Sequence, residues 1–541
     1  DGFCMVTFDF VPSAPVTVDS LVVSAPLRNG LAKIFEVQHR DDERAKQSPD
    51  FTLKDGEGEV WNSAMHVREN VLNTYKAYVQ PYIWYGDAKK GLATLLTTPK
   101  NMSHNEKDVV QRIVRKDGAA TLTQAFVTKP VVWDKPVRFT IAFQPSPVKP
   151  QVWADRRFAQ HMYGYSCPSN ALGWSERFTG FWANAPIRST YNILPGNDRG
   201  LIDFCRAHRD RRYSKEFHAE VDRYIARNAE WFETNRWNVS AKAFKDLQTN
   251  NSRLTGLRQI MCYYDPVLVS CFWPEWEMYK ADWSVEEWPN DDLYNEYLGN
   301  MPSSYIDFLL YHMRNTVKLG AEGFFFDCYS LMCNRNFAAS KGRAYFTDKF
   351  TIQPHFGNII HWRELVKRTA TMCYKLGVMQ NGRPAVTVHA TDGIMLPVCS
   401  FASGVMVTER GGKGGNIPDA YPESYILSDV TGQQCGVMST PIMKTLEPEE
   451  GGKKEAQLRS LMAFMCAYGV FNLTDQGTLY RPWFEKAWNL VFDYGWGKPE
   501  VTGHFYYDQK PQPVKHTGKN VRLTVAEKKG ENALLMFGNL G

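Results

Sequence analysis

The 541-residue chain has no Cys-x-x-Cys pair and no His/Cys cluster at zinc spacing. Its 11 Cys, an odd number scattered along the chain, therefore read as neither a metal centre nor a disulfide framework. Several lie in apolar runs (Cys262, Cys271, Cys435, Cys466) and are expected to be buried thiols. No apolar run reaches the roughly 20 residues that span a bilayer as a helix. A dense basic run is also missing: the net charge of +5 is spread along the chain, which argues against nucleic acid and is compatible with an anionic substrate. There is no Gly-x-Ser-x-Gly elbow, no His-Glu-x-x-His helix, no internal repeat and no low-complexity tract. The Gly-rich turn at Gly411–Asn416 lacks the terminal Lys-Ser/Thr of a phosphate-binding loop and is expected to be a mobile loop. No cofactor and no metal are expected.

What is abundant is aromatic. Sixteen Trp and 26 Tyr in a chain that is 43% hydrophobic can fill sizeable cores, and near polar loops they can also make platforms for sugar rings. The length asks for two or three domains. Residues 1–150 carry β-rich runs broken by Gly, Pro, Asp and Asn, and predict a β-sandwich that stops at the proline-rich Pro145–Pro150. Residues 151–499 alternate strands and helices, which predicts parallel βαβ units and, from their number, a (β/α)8 barrel. The expected strands include 160–165, 178–184, 259–264, 323–327, 385–390, 404–409, 435–439 and 469–473, with helices over 201–236, 303–319, 359–376, 454–468 and 482–492. Residues 500–541 return to β character and predict the start of a C-terminal β domain. The fold class is thus multidomain, β plus α/β. Asp1 stands where an initiator Met would, and Asn532–Gly541 breaks off at a turn, so a longer natural protein is expected. Its expected location is secreted or periplasmic, with outer-membrane association a further option.

The stretch Ala321–Ser330, AEGFFFDCYS, follows a helical segment and runs three Phe into a carboxylate. Such a run reads as a strand buried on both faces of a parallel sheet, and Asp327 then stands at its carboxyl end, the edge where α/β barrels do chemistry. The alternative is a structural Asp that caps the next loop. Other strand ends gather polar groups too: Tyr264 and Asp265, His389 and Asp392, Glu409 and Arg410, and Asp475. Two carboxylates across one rim suit glycoside hydrolysis, with one as nucleophile and the other as proton donor to the leaving oxygen. By strand count Asp327 ends the fourth strand and Glu409 the sixth, making Asp327 the candidate nucleophile and Glu409 the candidate acid/base. Tyr264, Asp265, His389, Asp392 and Asp475 are candidate partners for sugar hydroxyls, and Arg410 is expected to face out or to pair with a substrate anion. The segment 271–288 reads as a polar loop with four Trp, among them Trp273 as a sugar-stacking candidate. Equally, such a loop can pack its aromatics on itself.

The pieces PYIWYGDAKKGLATL (81–95), IAFQPSPVKP (141–150), GFFFDCYS (323–330), HWRELVKR (361–368), VHATD (388–392) and SFASGVMVTE (400–409) together resemble a group of large bacterial proteins similar to glycoside hydrolase family 123. That resemblance implies a β-sandwich joined to a (β/α)8 barrel, and removal of N-acetylgalactosamine by substrate-assisted catalysis. The family's pattern has an adjacent Asp-Glu pair after the fourth strand, where this chain has Asp327–Cys328, and a thiol cannot replace the acid. The placement of Asp327 and Glu409 looks more like the α-galactosidase clan, whose resemblance implies an Asp nucleophile and a second carboxylate as acid/base. The expected function is a retaining glycosidase acting on an oligosaccharide or polysaccharide. Its alternative is a non-catalytic carbohydrate-binding or scaffold protein on the same barrel. A polysaccharide lyase comes third.

Overall fold

The structure is a computed structural model. It describes residues 1–38, 48–66, 78–157, 159–161, 178–184, 260–264, 266–270, 274–284, 296–298, 301–318, 321–329, 345–346, 352–353, 358–391, 393–411, 417–444, 452–470, 482–508 and 510–539, with five isolated helical residues between 215 and 226.

The N-terminal part is two antiparallel sheets. Five strands pair in the order Cys4–Phe10, Val137–Ser146, Gly91–Leu96, Tyr82–Gly86, Ile34–Val37, and four in the order Leu21–Arg28, Ala119–Val127, Gln111–Lys116, Gly58–Asn62. The inner faces meet through aromatic rings: Phe126 lies 4.8 Å from Phe139, and Phe35 lies 5.6 Å from Trp61. Trp84 and Tyr85 are fully enclosed, and each spends its polar tip inside, Trp84 donating to Ser146 Oγ and Tyr85 to the Ala25 carbonyl. That is the arrangement a buried Trp or Tyr needs if its polar atom is not to cost stability.

The central unit is one sheet of seven strands, in order Ala159–His161, Phe178–Asn184, Ile260–Tyr264, Gly323–Tyr329, Val386–Ala390, Gly404–Gly411 and Met438–Lys444. Every neighbouring pair is parallel. The spatial order follows the chain order, so the carboxyl ends of all seven lie along one edge. Helices Ser303–Lys318 and Asn358–Leu376 flank the middle strands. Each buries a stripe at helical spacing, Tyr305, Ile306, Leu309, Met313 on one and Ile359, Trp362, Val366, Ala370 on the other. Phe324 and Phe326 turn to this helix layer: Phe326 lies 6.4 Å from Trp362. Phe325 turns to the opposite face, where it lies 6.4 Å from the His389 ring.

Three sequence expectations differ from what is found. The strand expected at 435–439 begins at Met438, because Gly432 (φ +65) and Gly436 (φ +61) first turn the chain through left-handed conformations. The segment expected to be a Trp-rich loop contains a helix, Pro274–Trp283. Its Trp283 is a core side chain, donating to Ser304 Oγ at 3.1 Å and stacked on Tyr279. The strands Gly58–Asn62 and Gln111–Lys116 were not expected. The helix expected at 201–236 falls largely outside the described residues, as do residues 471–473 of the last expected strand. Seven parallel strands are therefore what is described of the expected barrel.

A three-stranded antiparallel sheet, Val501–Phe505, Val521–Lys528 and Asn532–Asn539, packs on helix Gly452–Tyr468. A Cβ at Gly538 would lie 2.3 Å from the Ala463 carbonyl, so only glycine permits this approach of strand and helix. The N-terminal sheets are fastened to the central unit below its sixth strand. Lys149 Nζ donates to the carbonyls of Ser400 (2.8 Å) and Ala402, and Phe51 N donates to Ser424 Oγ at 2.8 Å.

Candidate functional site

Parallel pairing puts Phe326 opposite Val388, and then Tyr329 opposite Ala390, so two residues of the fourth strand, Asp327 and Cys328, face one residue of the fifth, His389. This is a β-bulge. Its consequence is visible in the rings: Phe326 and Tyr329 are three residues apart yet both contact Trp362, at 6.4 and 5.5 Å. Strict alternation would have sent them to opposite faces. Bulges of this kind re-aim side chains and are enriched beside active sites.

Asp327 shares the face of Phe325. Its Oδ1 lies 2.6 Å from His389 Nδ1, and its side chain is 20% exposed while that of His389 is 5% exposed. A carboxylate can only accept, so in the ionised state Nδ1–H donates. The bond is short for an N–H to oxygen contact, as expected when the acceptor is charged. Thr387, two residues earlier on the same face of the fifth strand, places its hydroxyl 3.9 Å from the Met261 sulfur. Among the described residues the floor below the dyad includes Phe325, Met261, Thr387 and, opposite His389 on the sixth strand, Met406.

The sixth strand carries a second bulge at the same edge. Val407 pairs with Pro441 and Arg410 with Met443, so Thr408 and Glu409 stand against the single residue Ile442. Alternation counted from Val405 and Val407 would give Glu409 the parity of the helix-facing positions; the register slip interrupts that count at Glu409 itself. Both candidate carboxylates therefore sit in bulges, at the carboxyl ends of the fourth and sixth strands.

Tyr264 is placed differently from the expectation. Its ring is enclosed between sheet and helix, 5.8 Å from Phe324 and 6.4 Å from Phe326, and its hydroxyl meets Thr316 Oγ1 at 3.0 Å. Thr316 gives its own proton to the His312 carbonyl at 2.8 Å, so Tyr264 is the donor of the pair. At 1% exposure this is a core position, not a rim position. Arg410 lies on the described strand, paired opposite Met443. Asp265, Trp273, Asp392 and Asp475 lie outside the described residues. Among the described residues no group of three or more His, Cys, Asp and Glu could hold a metal ion, and no helix is long and apolar enough to cross a membrane.

No protein-family model and no curated protein matches the chain. Solved structures do. The α-galactosidase of Thermus thermophilus in complex with p-nitrophenyl α-D-galactopyranoside is 11% identical, covering 98% of this chain and 96% of its own, at a TM-score of 0.40. The GH31 dextranase of Flavobacterium johnsoniae in complex with glucose is also 11% identical, covering 99% of this chain and 67% of its own, at 0.43. The GH36 α-galactosidase AgaB of Geobacillus stearothermophilus is 8% identical, covering 95% and 67%, at 0.40.

Proposed function

We propose that this protein is a retaining glycoside hydrolase, with Asp327 as nucleophile and Glu409 as acid/base. The observation that carries the reading is the pair of bulges, which sets two carboxylates at one sheet edge, two strands apart. Two inter-strand steps of about 4.8 Å and two to three residues of rise at about 3.3 Å put their Cα atoms roughly 12 Å apart. Retention asks that the two carboxyl groups stand about 5–5.5 Å apart across the sugar.

In the first step an Asp327 oxygen attacks the anomeric carbon. The new C–O bond forms as the glycosidic C–O bond breaks, and its electron pair leaves on the departing oxygen, which takes the proton of Glu409. Glu409, now a carboxylate, takes a proton from water as that water attacks the same carbon. Asp327 is released and Glu409 is again an acid. The transition state is oxocarbenium-like, and an ionised Asp327 beside it supplies electrostatic stabilisation. The reading gives Asp265, Trp273, Asp392, Arg410 and Asp475 the contacts to the sugar. The substrate class is an oligosaccharide or polysaccharide.

The test is hydrolysis of a panel of aryl glycosides and natural glycans by Asp327→Asn and Glu409→Gln. Each is expected to lose several orders of magnitude in turnover while keeping the wild-type melting temperature within a few degrees. Unchanged turnover in either variant rejects the assignment. Saccharide binding by both variants, with no hydrolysis by any form of the protein, would favour a carbohydrate-binding protein instead.

A further inference from the structure

The contact between Asp327 and His389 does more than fill space. The fourth strand needs an extra residue to place Asp327 level with His389, and the pairing that results is direct, at 2.6 Å. His389 comes from the adjacent strand, its ring packed near-parallel to Phe325 and its side chain 95% buried. A ring so enclosed has one orientation, and through Nδ1 it gives Asp327 one orientation too. On the same face Phe325 and Met406 lie across the strands from it.

We propose that His389 is the positioning residue of the candidate nucleophile: Nδ1–H occupies Oδ1 of Asp327 and fixes the orientation of the carboxylate. This rests on the glycosidase reading above. A sugar hydroxyl is thereby not the partner of Nδ1, which replaces the substrate-contact role that the sequence suggested for His389. Two effects follow from the chemistry. Rotation of the carboxylate about its last bond is stopped before substrate arrives, so the reaction spends less on orientation. A donor on one oxygen also favours the charged form of a carboxyl group, which is the form a nucleophile needs.

The experiment has a substrate-free arm and a kinetic arm. Histidine labelled with carbon-13 at Cε1 is titrated by NMR in the wild type, in Asp327→Asn and in His389→Asn, the last of which identifies the His389 signal by its disappearance. An opposite charge at this distance raises an imidazole by about one to three pH units, so Asp327→Asn is expected to lower the His389 midpoint by that much. An unmoved midpoint overturns the contact and the proposal with it.

In the kinetic arm, His389→Asn keeps an amide nitrogen near the place of Nδ1, whereas His389→Gln and His389→Ala do not. The expected result is turnover within about tenfold of wild type for Asn. For Gln and Ala the expected result is a loss of about 100-fold or more in kcat, with KM nearly unchanged and the acidic limb of the kcat profile moved to higher pH. If His389→Ala turns over as the wild type does while Asp327→Asn is inactive, the positioning role is wrong and the glycosidase reading stands. If Asp327→Asn itself remains active, both fall, and the NMR titration still reports whether the contact exists.

Discussion

Glu36 offers the sharpest thermodynamic test of how the N-terminal sheets are joined to the central unit. It lies on the strand Ile34–Val37, 1% exposed, and meets Asp429, also 1% exposed, on the turn Ile426–Val430. Asp429 already accepts a hydrogen bond from Ile394 N at 2.8 Å. Burial, then the charge and hydrogen bond of Asp429, then the nearby Cys399 raise the Glu36 carboxyl well above its usual range. Glu36 is therefore favoured in its protonated form beside Asp429. An acid whose folded value is raised contributes stability that is complete below the ordinary carboxyl range and is lost as pH rises toward the folded value. The slope is about 1.4 kcal/mol per pH unit. Glu36→Gln keeps the size and a donor for Asp429 but cannot titrate. Urea unfolding followed by Trp fluorescence at pH 5, 6 and 7, at one salt concentration, gives the difference between wild type and variant. Titrating groups out of contact with Glu36 cancel in that difference. The variant is expected to gain on the wild type as pH rises, by no more than about 1.4 kcal/mol with each pH unit. Parallel pH profiles for the two proteins would refute the shared-proton account.

Other outcomes follow from single contacts. Tyr264→Phe removes the donor to Thr316 inside the core, so it should cost about 1 kcal/mol of stability and leave glycan binding unaltered; a loss of binding at full stability would return Tyr264 to the rim. Burial pushes His104 down to about 4, and its Nδ1 sits 2.8 Å from the Thr128 hydroxyl. A histidine depressed in the folded state makes the protein lose stability as pH falls from about 6.5 toward 4. His104→Gln should flatten that acid limb in thermal melts. Gly436 has φ +61, and a Cβ there would lie 1.8 Å from the Lys149 carbonyl, so Gly436→Ala should destabilise the protein by roughly 2 kcal/mol or more, read by urea unfolding.

How far the sequence reaches is clearest along the fourth strand. Three Phe ending in Asp327 implied a strand buried on both faces, and the rings do divide between the helix layer and the opposite face. Counting βαβ units put Asp327 on the fourth strand and Glu409 on the sixth, which is their order in the sheet. The bulges were not legible, because a register slip depends on the partner strand and leaves no fixed residue pattern. For the same reason the direct bond between Asp327 and His389 was missed: VHATD shows a polar strand end, and not which residue lies across from it. Tyr264 was taken for a rim residue because its hydroxyl looked like a ligand group, yet a Tyr at a strand end can equally point into the helix layer. Helix Pro274–Trp283 did carry a signal, a proline at its first position, which the surrounding Trp and acidic residues obscured. Glu36 was hidden in the apolar run IFEV, and nothing local to it names Asp429, nearly 400 residues away.

The central claim is that Asp327 becomes covalently bonded to sugar. Glycosyl aziridines, which alkylate the nucleophile of retaining glycosidases, test it directly when a set of them spanning several sugar configurations is incubated with the protein and the peptides are mapped by mass spectrometry. The account predicts a single adduct on the peptide containing Gly323–Tyr329, localised to Asp327 and absent from Asp327→Asn. An adduct on another carboxylate, or labelling that persists in Asp327→Asn, would contradict it.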